Sequence, residues 1–113
     1  MIHPMKRGEV WTQSGGPGYA GKPRPVLILQ TDLLDETDSV VTCLLTTHEN
    51  KAIPSSVPFR SMELNGLLED SDLMAEKITA VPRTKLGSRL GAVGAADLAR
   101  AKDAVMVVLG FDG

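Results

Sequence analysis

A mainly β domain with a single C-terminal helix is the fold class that this sequence predicts, and three observations carry it. Up to Val81 the apolar residues come in short runs rich in Val, Ile and Thr, set apart by Gly, Pro and Asp, as strands are by turns. Val26-Leu27-Ile28-Leu29 is apolar at consecutive positions, so both faces of that strand are expected to be covered. From Gly94 the period changes, with Leu98, Ala101, Val105, Val108 and Leu109 along one helical face. At 113 residues the chain is expected to be one domain, residues 1–113. The architecture expected is a small, strongly curved antiparallel sheet or barrel closed by the helix.

Lys6 to Gln13 reads as the first strand, with Val10 and Trp11 on opposite faces of the pleat and Trp11, the sole tryptophan, as a core or interface anchor. A loop with four glycines, Gly15 to Gly21, follows and is longer than a hairpin needs. Pro25 to Thr31 is the second strand, the acidic loop Asp32 to Asp38 turns the chain, and Ser39 to Thr47 is the third strand. Val57-Pro58-Phe59-Arg60 is a short edge strand, since proline cannot donate to a ladder. Asn65-Gly66 marks a turn. Asp72 to Val81, β-branched near its end and stopped by Pro82, is one strand or two short ones. Lys85 to Gly91 reads as a glycine-punctuated connection. In the helix, Asp97 suits the positive N-terminal end and Gly110 the stop. Val105 to Phe111 is apolar on every face, so it is expected to be buried in the core and against a partner.

Composition narrows the function classes. Hydrophobic residues make up 42% and charged residues 23%, as in a soluble globular protein, and aromatics only 4%, so Val, Leu, Ile, Ala and Met must build the core. No apolar run approaches the roughly 20 residues that span a membrane. Met1 to Arg7 carries no signal-peptide apolar region, so a cytoplasmic protein is expected. Cys43 is the only cysteine; it lies in an apolar run and reads as a small buried hydrophobe rather than a catalytic thiol. The formal net charge of −2 is not that of a protein coating nucleic acid non-specifically, though it leaves room for a local basic cleft. Asp32, Asp35, Glu36 and Asp38 form one acidic group and Glu69, Asp70 and Asp72 another; without a calcium-loop pattern or histidine cluster, both read as solvated loops. No metal and no cofactor is expected.

Chemistry concentrates at Gly21-Lys22-Pro23-Arg24-Pro25. Each proline fixes its own backbone torsion and extends the residue before it, which presents Arg24 in a set direction at the mouth of a buried strand. If the second and third strands pair antiparallel, the end of the third comes to the start of the second, and Thr46 approaches Arg24.

Lys6-Arg7-Gly8-Glu9-Val10-Trp11, Gly21-Lys22-Pro23-Arg24-Pro25-Val26-Leu27-Ile28, Leu45-Thr46-Thr47, and Glu76-Lys77-Ile78-Thr79-Ala80-Val81 with Lys85-Leu86 together resemble the MazF/PemK family of toxin endoribonucleases. The match covers nearly the whole chain in order. It implies an SH3-like β-barrel with helices (the MazF/CcdB-like toxin fold), a homodimer, a cognate antitoxin protein as partner, and metal-independent, sequence-selective cleavage of single-stranded RNA. By position Arg24 matches the family's catalytic arginine and Thr46 its catalytic threonine, with Thr47 the second candidate because the threonine is doubled. The chain departs from relatives that carry an acid five positions before the arginine: Tyr19 stands there, which bears on base preference.

RNA supplies its own nucleophile, the 2′-hydroxyl, and the expected products are a 2′,3′-cyclic phosphate and a 5′-hydroxyl. Charge builds on the non-bridging oxygens as phosphorus becomes five-coordinate, and a forked guanidinium matches that geometry. Arg24 is therefore assigned electrostatic stabilisation, and Thr46 orientation of the phosphate or the 2′-hydroxyl. Lys22, Lys51 and Lys77 are candidate phosphate contacts, Tyr19 a platform for an unpaired base, and His48 an auxiliary contact of a type that titrates near neutral pH. Two other classes are weighed against this one. A non-catalytic SH3-like binding module or gyrase poison of the same fold would not need Arg24; a metal-dependent nuclease would use Asp32, Asp35 and Asp38.

Overall fold

A computed structural model of the chain describes residues 5–14, 23–47 and 55–111. Seven strands and one long helix follow in the order β1 (Glu9–Gln13), β2 (Arg24–Ile28), β3 (Ser39–Thr47), β4 (Ser56–Phe59), β5 (Ser71–Met74), β6 (Thr79–Pro82), β7 (Leu86–Ala92) and α1 (Ala95–Leu109). Every pairing is antiparallel. The strand path runs β4-β5-β3-β2-β1-β7. β3, with nine residues, carries two partners along one edge: β6 on Ser39–Thr42 and β5 on Leu45–Thr47. The path has two ends, β4 and β7, so the sheet is open and the expected barrel holds only in its curvature.

Alternation divides the core into two layers. Val10, Leu27, Cys43, Leu45, Phe59 and Leu73 pack with Ala101 of α1 on one face, and Trp11, Val26, Ile28, Val40, Val81 and Leu86 pack on the other. β2 is covered on both sides, which explains its unbroken apolar run. Trp11 and Val10 fall in different layers, as the pleat requires. The buried Cys43 thiol is pushed up to about 12, first by burial and then by the negative charge of Glu76. It donates to the Met74 carbonyl at 2.9 Å, so it is a core group and not a nucleophile.

β3 spans the residues expected of it. Asp72–Val81 resolves into two short strands joined by a 3-10 turn at Ala75–Lys77. β4, with Pro58, lies at an end of the path, as its proline predicts. The connection expected at Lys85–Gly91 is instead β7, paired with β1 through register shifts. Its glycines answer a steric demand. A Cβ at Gly87 would lie 2.7 Å from Thr12 Oγ1, and one at Gly91 would lie 2.4 Å from the Leu64 carbonyl oxygen. Close approach of a side-chain hydroxyl and of a neighbouring backbone, not a break in the strand, accounts for them.

α1 begins after Gly94 and stops at Gly110, whose left-handed φ of 79° lets Phe111 N–H bond back to the Met106 carbonyl at 2.9 Å. The helix packs on β4 and on the Ala75–Lys77 turn. Its last turn is not buried within the chain, contrary to one half of the sequence expectation: Val107 is 60% and Phe111 71% exposed. Among the described residues, no helix is long and apolar enough to cross a membrane.

Candidate functional site

The site lies where β1 and β3 end and β2 begins. The β2–β3 ladder pairs Ile28 with Thr42, Leu27 with Cys43 and Val26 with Leu44, where it ends. Carried two residues further, that register would put Arg24 opposite Thr46, and both line one cavity. Thr46 in turn pairs with Asp72 of β5, and Gln13 of β1 pairs with Arg24. Gln13, Arg24, Thr46 and Asp72 therefore follow one another across four strands on the Trp11 face of the sheet. Leu45 and Thr47 alternate to the helix face, where Thr47 Oγ1 donates to Glu69 Oε2 at 3.3 Å.

A cavity of about 630 Å³ opens at this end. Thr12, Pro23, Arg24, Pro25, Leu45, Thr46 and Thr47 line it from the strands, and Gly66, Leu67, Leu68, Glu69, Ser71 and Leu90 complete it. The loop between β4 and β5 forms the far wall and is held by Asn65, which is fully buried. Its Oδ1 accepts from Met62 N at 3.2 Å and Leu67 N at 3.0 Å, and its Nδ2 donates to the Arg60 carbonyl at 2.9 Å. Gly66 follows with φ +71°, and a Cβ there would lie 2.1 Å from the Leu90 carbonyl oxygen, so only glycine lets this wall close on β7.

The structure thus brings together Arg24, Thr46 and Thr47 and separates the two threonines by face. Lys77 is not brought in: it sits exposed on the turn between β5 and β6 and does not line the cavity. Tyr19, Lys22, His48 and Lys51 lie outside the described residues. Asp72, read from the sequence as solvated loop, is 6% exposed, because its strand position puts it between Thr46 and Pro58. Asp70 accepts from Ser61 N at 2.7 Å and serves the loop, while Glu69 faces the cavity. Sequence reasoning passed over Glu69, Ser71, Leu68 and Leu90. The available signal was the Asn65-Gly66 turn, which folds the first three toward the strand ends.

Gln13 adds one anomaly. Its side-chain oxygen is buried with no hydrogen-bond partner among the described residues, directly across from Arg24. A buried acceptor of this kind is uncommon in folded proteins. In the other acidic group, Asp32 accepts from Arg7 N at 2.8 Å. Among the described residues, no three His, Cys, Asp or Glu side chains are grouped as metal ligands would be.

An open, curved antiparallel sheet with a C-terminal helix, its strand ends bordering a cavity, defines a small mainly β domain. Residues 6–109 match the family of PemK-like, MazF-like toxins of type II toxin-antitoxin systems, and the chain belongs to that family. It is 38% identical over 109 residues to the probable endoribonuclease MazF of Mycolicibacterium smegmatis (strain ATCC 700084 / mc(2)155), covering 96% of this chain and 100% of that protein. Among solved structures it resembles a mycobacterial endoribonuclease in complex with its cognate antitoxin, with a TM-score of 0.77, 26% identity, and coverage of 94% of this chain and 95% of that one. A MazE-MazF structure from Deinococcus radiodurans shares the fold with a TM-score of 0.79 at 19% identity, covering 96% of this chain and 98% of that one.

Proposed function

We propose that this toxin is an endoribonuclease that cuts single-stranded RNA without a metal, with Arg24 and Thr46 as its catalytic residues. The observation that supports the reading is that Arg24 and Thr46 line one cavity, at strand ends where the β2–β3 register, carried two residues past Val26–Leu44, would put them opposite each other. Thr47 is turned away and engaged with Glu69, which favours Thr46 of the doubled pair. Residues 1–113 act as a single toxin domain.

In the reaction the 2′-oxygen attacks phosphorus as the bond from phosphorus to the 5′-oxygen breaks. The products are a 2′,3′-cyclic phosphate and a 5′-hydroxyl. The proton of the 2′-hydroxyl passes to water and the departing 5′-oxygen takes one from water, so the count of protons is unchanged. Arg24 offers two N–H donors to the non-bridging oxygens as their charge grows, and Thr46 holds the phosphate or the 2′-hydroxyl in line. The substrate supplies the nucleophile and the guanidinium supplies the positive charge, so no metal is required. Tyr19, Lys22, His48 and Lys51 remain candidate RNA contacts on the strength of the sequence.

The deciding experiment incubates purified protein with a long single-stranded RNA in EDTA beside Arg24→Ala. Discrete fragments with 5′-hydroxyl ends are expected from the wild type, with the rate about 10²–10³-fold lower in the variant. Cleavage that EDTA abolishes would return attention to a metal. Toxicity that survives Arg24→Ala would favour a binding or gyrase-poison role.

The partners of this reading are a second copy of the chain and an antitoxin. The relative named as complexed with its cognate antitoxin supports the second. The exposed Val107, Val108, Leu109 and Phe111 at the end of α1 support the first. Val107→Lys is expected to shift the sedimenting species from dimer to monomer; an unchanged dimer would place the contact elsewhere.

A further inference from the structure

One end of the cavity is not used by this chemistry. Glu69 and Thr47 meet there on the face opposite Arg24, with Ser71 beside Thr47 across the β3–β5 pair. Among the described residues that line the cavity, Glu69 is the one carboxylate and Arg24 the one cation. The rim is apolar: Leu68 is 96% and Leu90 38% exposed. The cavity volume of about 630 Å³ falls in the range of small-ligand clefts.

An RNA chain lying across this end has two kinds of group to place. Its phosphates are repelled by Glu69 and attracted by Arg24, so the backbone belongs on the arginine side and a base on the glutamate side. Unpaired bases are recognised by apolar or aromatic groups on their flat faces and by hydrogen bonds on their edges. The exposed leucines provide the first and the carboxylate the second. An ionised carboxylate only accepts, and its two oxygens hold about four acceptor positions, so capacity remains after the bond from Thr47. Of the four RNA bases, guanine alone presents two adjacent N–H donors on its pairing edge, at N1 and N2. Adenine and cytosine set one amino group beside a ring-nitrogen acceptor, and uracil sets one N–H between two carbonyls. Each of those acceptors would meet Glu69 with like partial charge.

We infer that the Glu69 end of the cavity is a guanine-selective base subsite, a reading that rests on RNA being the substrate. The test measures fluorescence anisotropy of wild-type protein with short single-stranded 2′-O-methyl RNA oligonucleotides, which cannot be cleaved. They carry one guanosine, or at that position inosine or adenosine, in an otherwise adenosine and uridine sequence. Guanosine is expected to bind tighter than adenosine by roughly 5- to 150-fold, the range of a bidentate base contact, with inosine between them because it lacks the N2 amino group. Glu69→Gln should bring the three affinities together. Equal affinities in the wild type would overturn the inference with no variant involved. A Glu69→Gln protein that loses affinity equally for all three would also overturn it. Guanosine preference in a protein that cuts no RNA would keep the subsite and sink the nuclease reading instead.

Discussion

At the first end of β3 the polar groups close a loop; at its last end they line a cavity. Around Ser39, Gln30 Nε2 donates to the Leu34 carbonyl at 2.6 Å and to Thr37 Oγ1 at 2.9 Å, while its Oε1 accepts from Val41 N at 3.1 Å. Arg83 closes the same loop, donating to the Thr37 carbonyl, to the Leu34 carbonyl at 3.0 Å and to Thr37 Oγ1 at 3.3 Å. Around Thr47, Arg24, Thr46, Glu69 and Ser71 border about 630 Å³ of open space. Both ends hold an arginine. The difference is the space beside them. The Arg83 guanidinium, on the turn between β6 and β7, bonds two carbonyls of the β2–β3 loop and ties two connections together, whereas Arg24 lines a cavity with room for a ligand.

Removing each arginine should therefore have opposite consequences. Arg24→Ala should lower the cleavage rate about 10²–10³-fold in protein that still melts cooperatively. Arg83→Met, which keeps an apolar stem, should leave the cleavage rate of folded protein unchanged. It should lower stability by about 1–3 kcal/mol, or Tm by about 4–12 °C, through the lost loop bonds. Thermal melts and single-turnover cleavage on both variants separate the roles. If Arg24→Ala proved the more destabilising and Arg83→Met the less active, the two ends would have been assigned the wrong way round.

The same contrast explains how much the sequence revealed. β3 and both faces of β2 were legible because burial writes itself into residue type: Val40, Thr42, Cys43 and Leu45 are buried, and β3 contributes to both core layers. The Arg24–Thr46 approach followed from antiparallel pairing alone. β7 was hidden, since Gly87 and Gly91 leave room for the Thr12 hydroxyl and the Leu64 carbonyl, both distant in sequence. Glu69 was hidden for a related reason. Its acidic neighbours Asp70 and Asp72 have different fates, one bonding its own loop and one buried in β5, and only the fold tells them apart. The open ends of the sheet were equally illegible, because closure depends on pairing between edges that no local pattern records.

The smallest expected effect tests a third ionic site, at the β1–β7 seam, where a charge is bonded entirely within the protein. Glu9 is partly desolvated, which by itself would raise its pKa. Bonds from Lys6 N at 2.7 Å, Arg89 Nε at 2.6 Å and Trp11 Nε1 at 3.1 Å, with the positive charge of Arg89, outweigh that and hold it below its usual value of 4.5. A lowered carboxylate pKa means that the folded state binds the proton less readily than the unfolded chain. The stabilisation is fully present above the unfolded value and disappears as pH falls through that value toward the folded one. Arg89 is half exposed, so solvent screens the pair and the effect should stay under about 1 kcal/mol. Comparing wild type with Glu9→Gln removes the titration of every other carboxylate from the difference. The wild type's advantage in Tm at pH 6 should narrow on the way to pH 3. A gap that stays constant would mean that Glu9 acts through its shape and neutral hydrogen bonds, and that the β1–β7 seam is held without its charge.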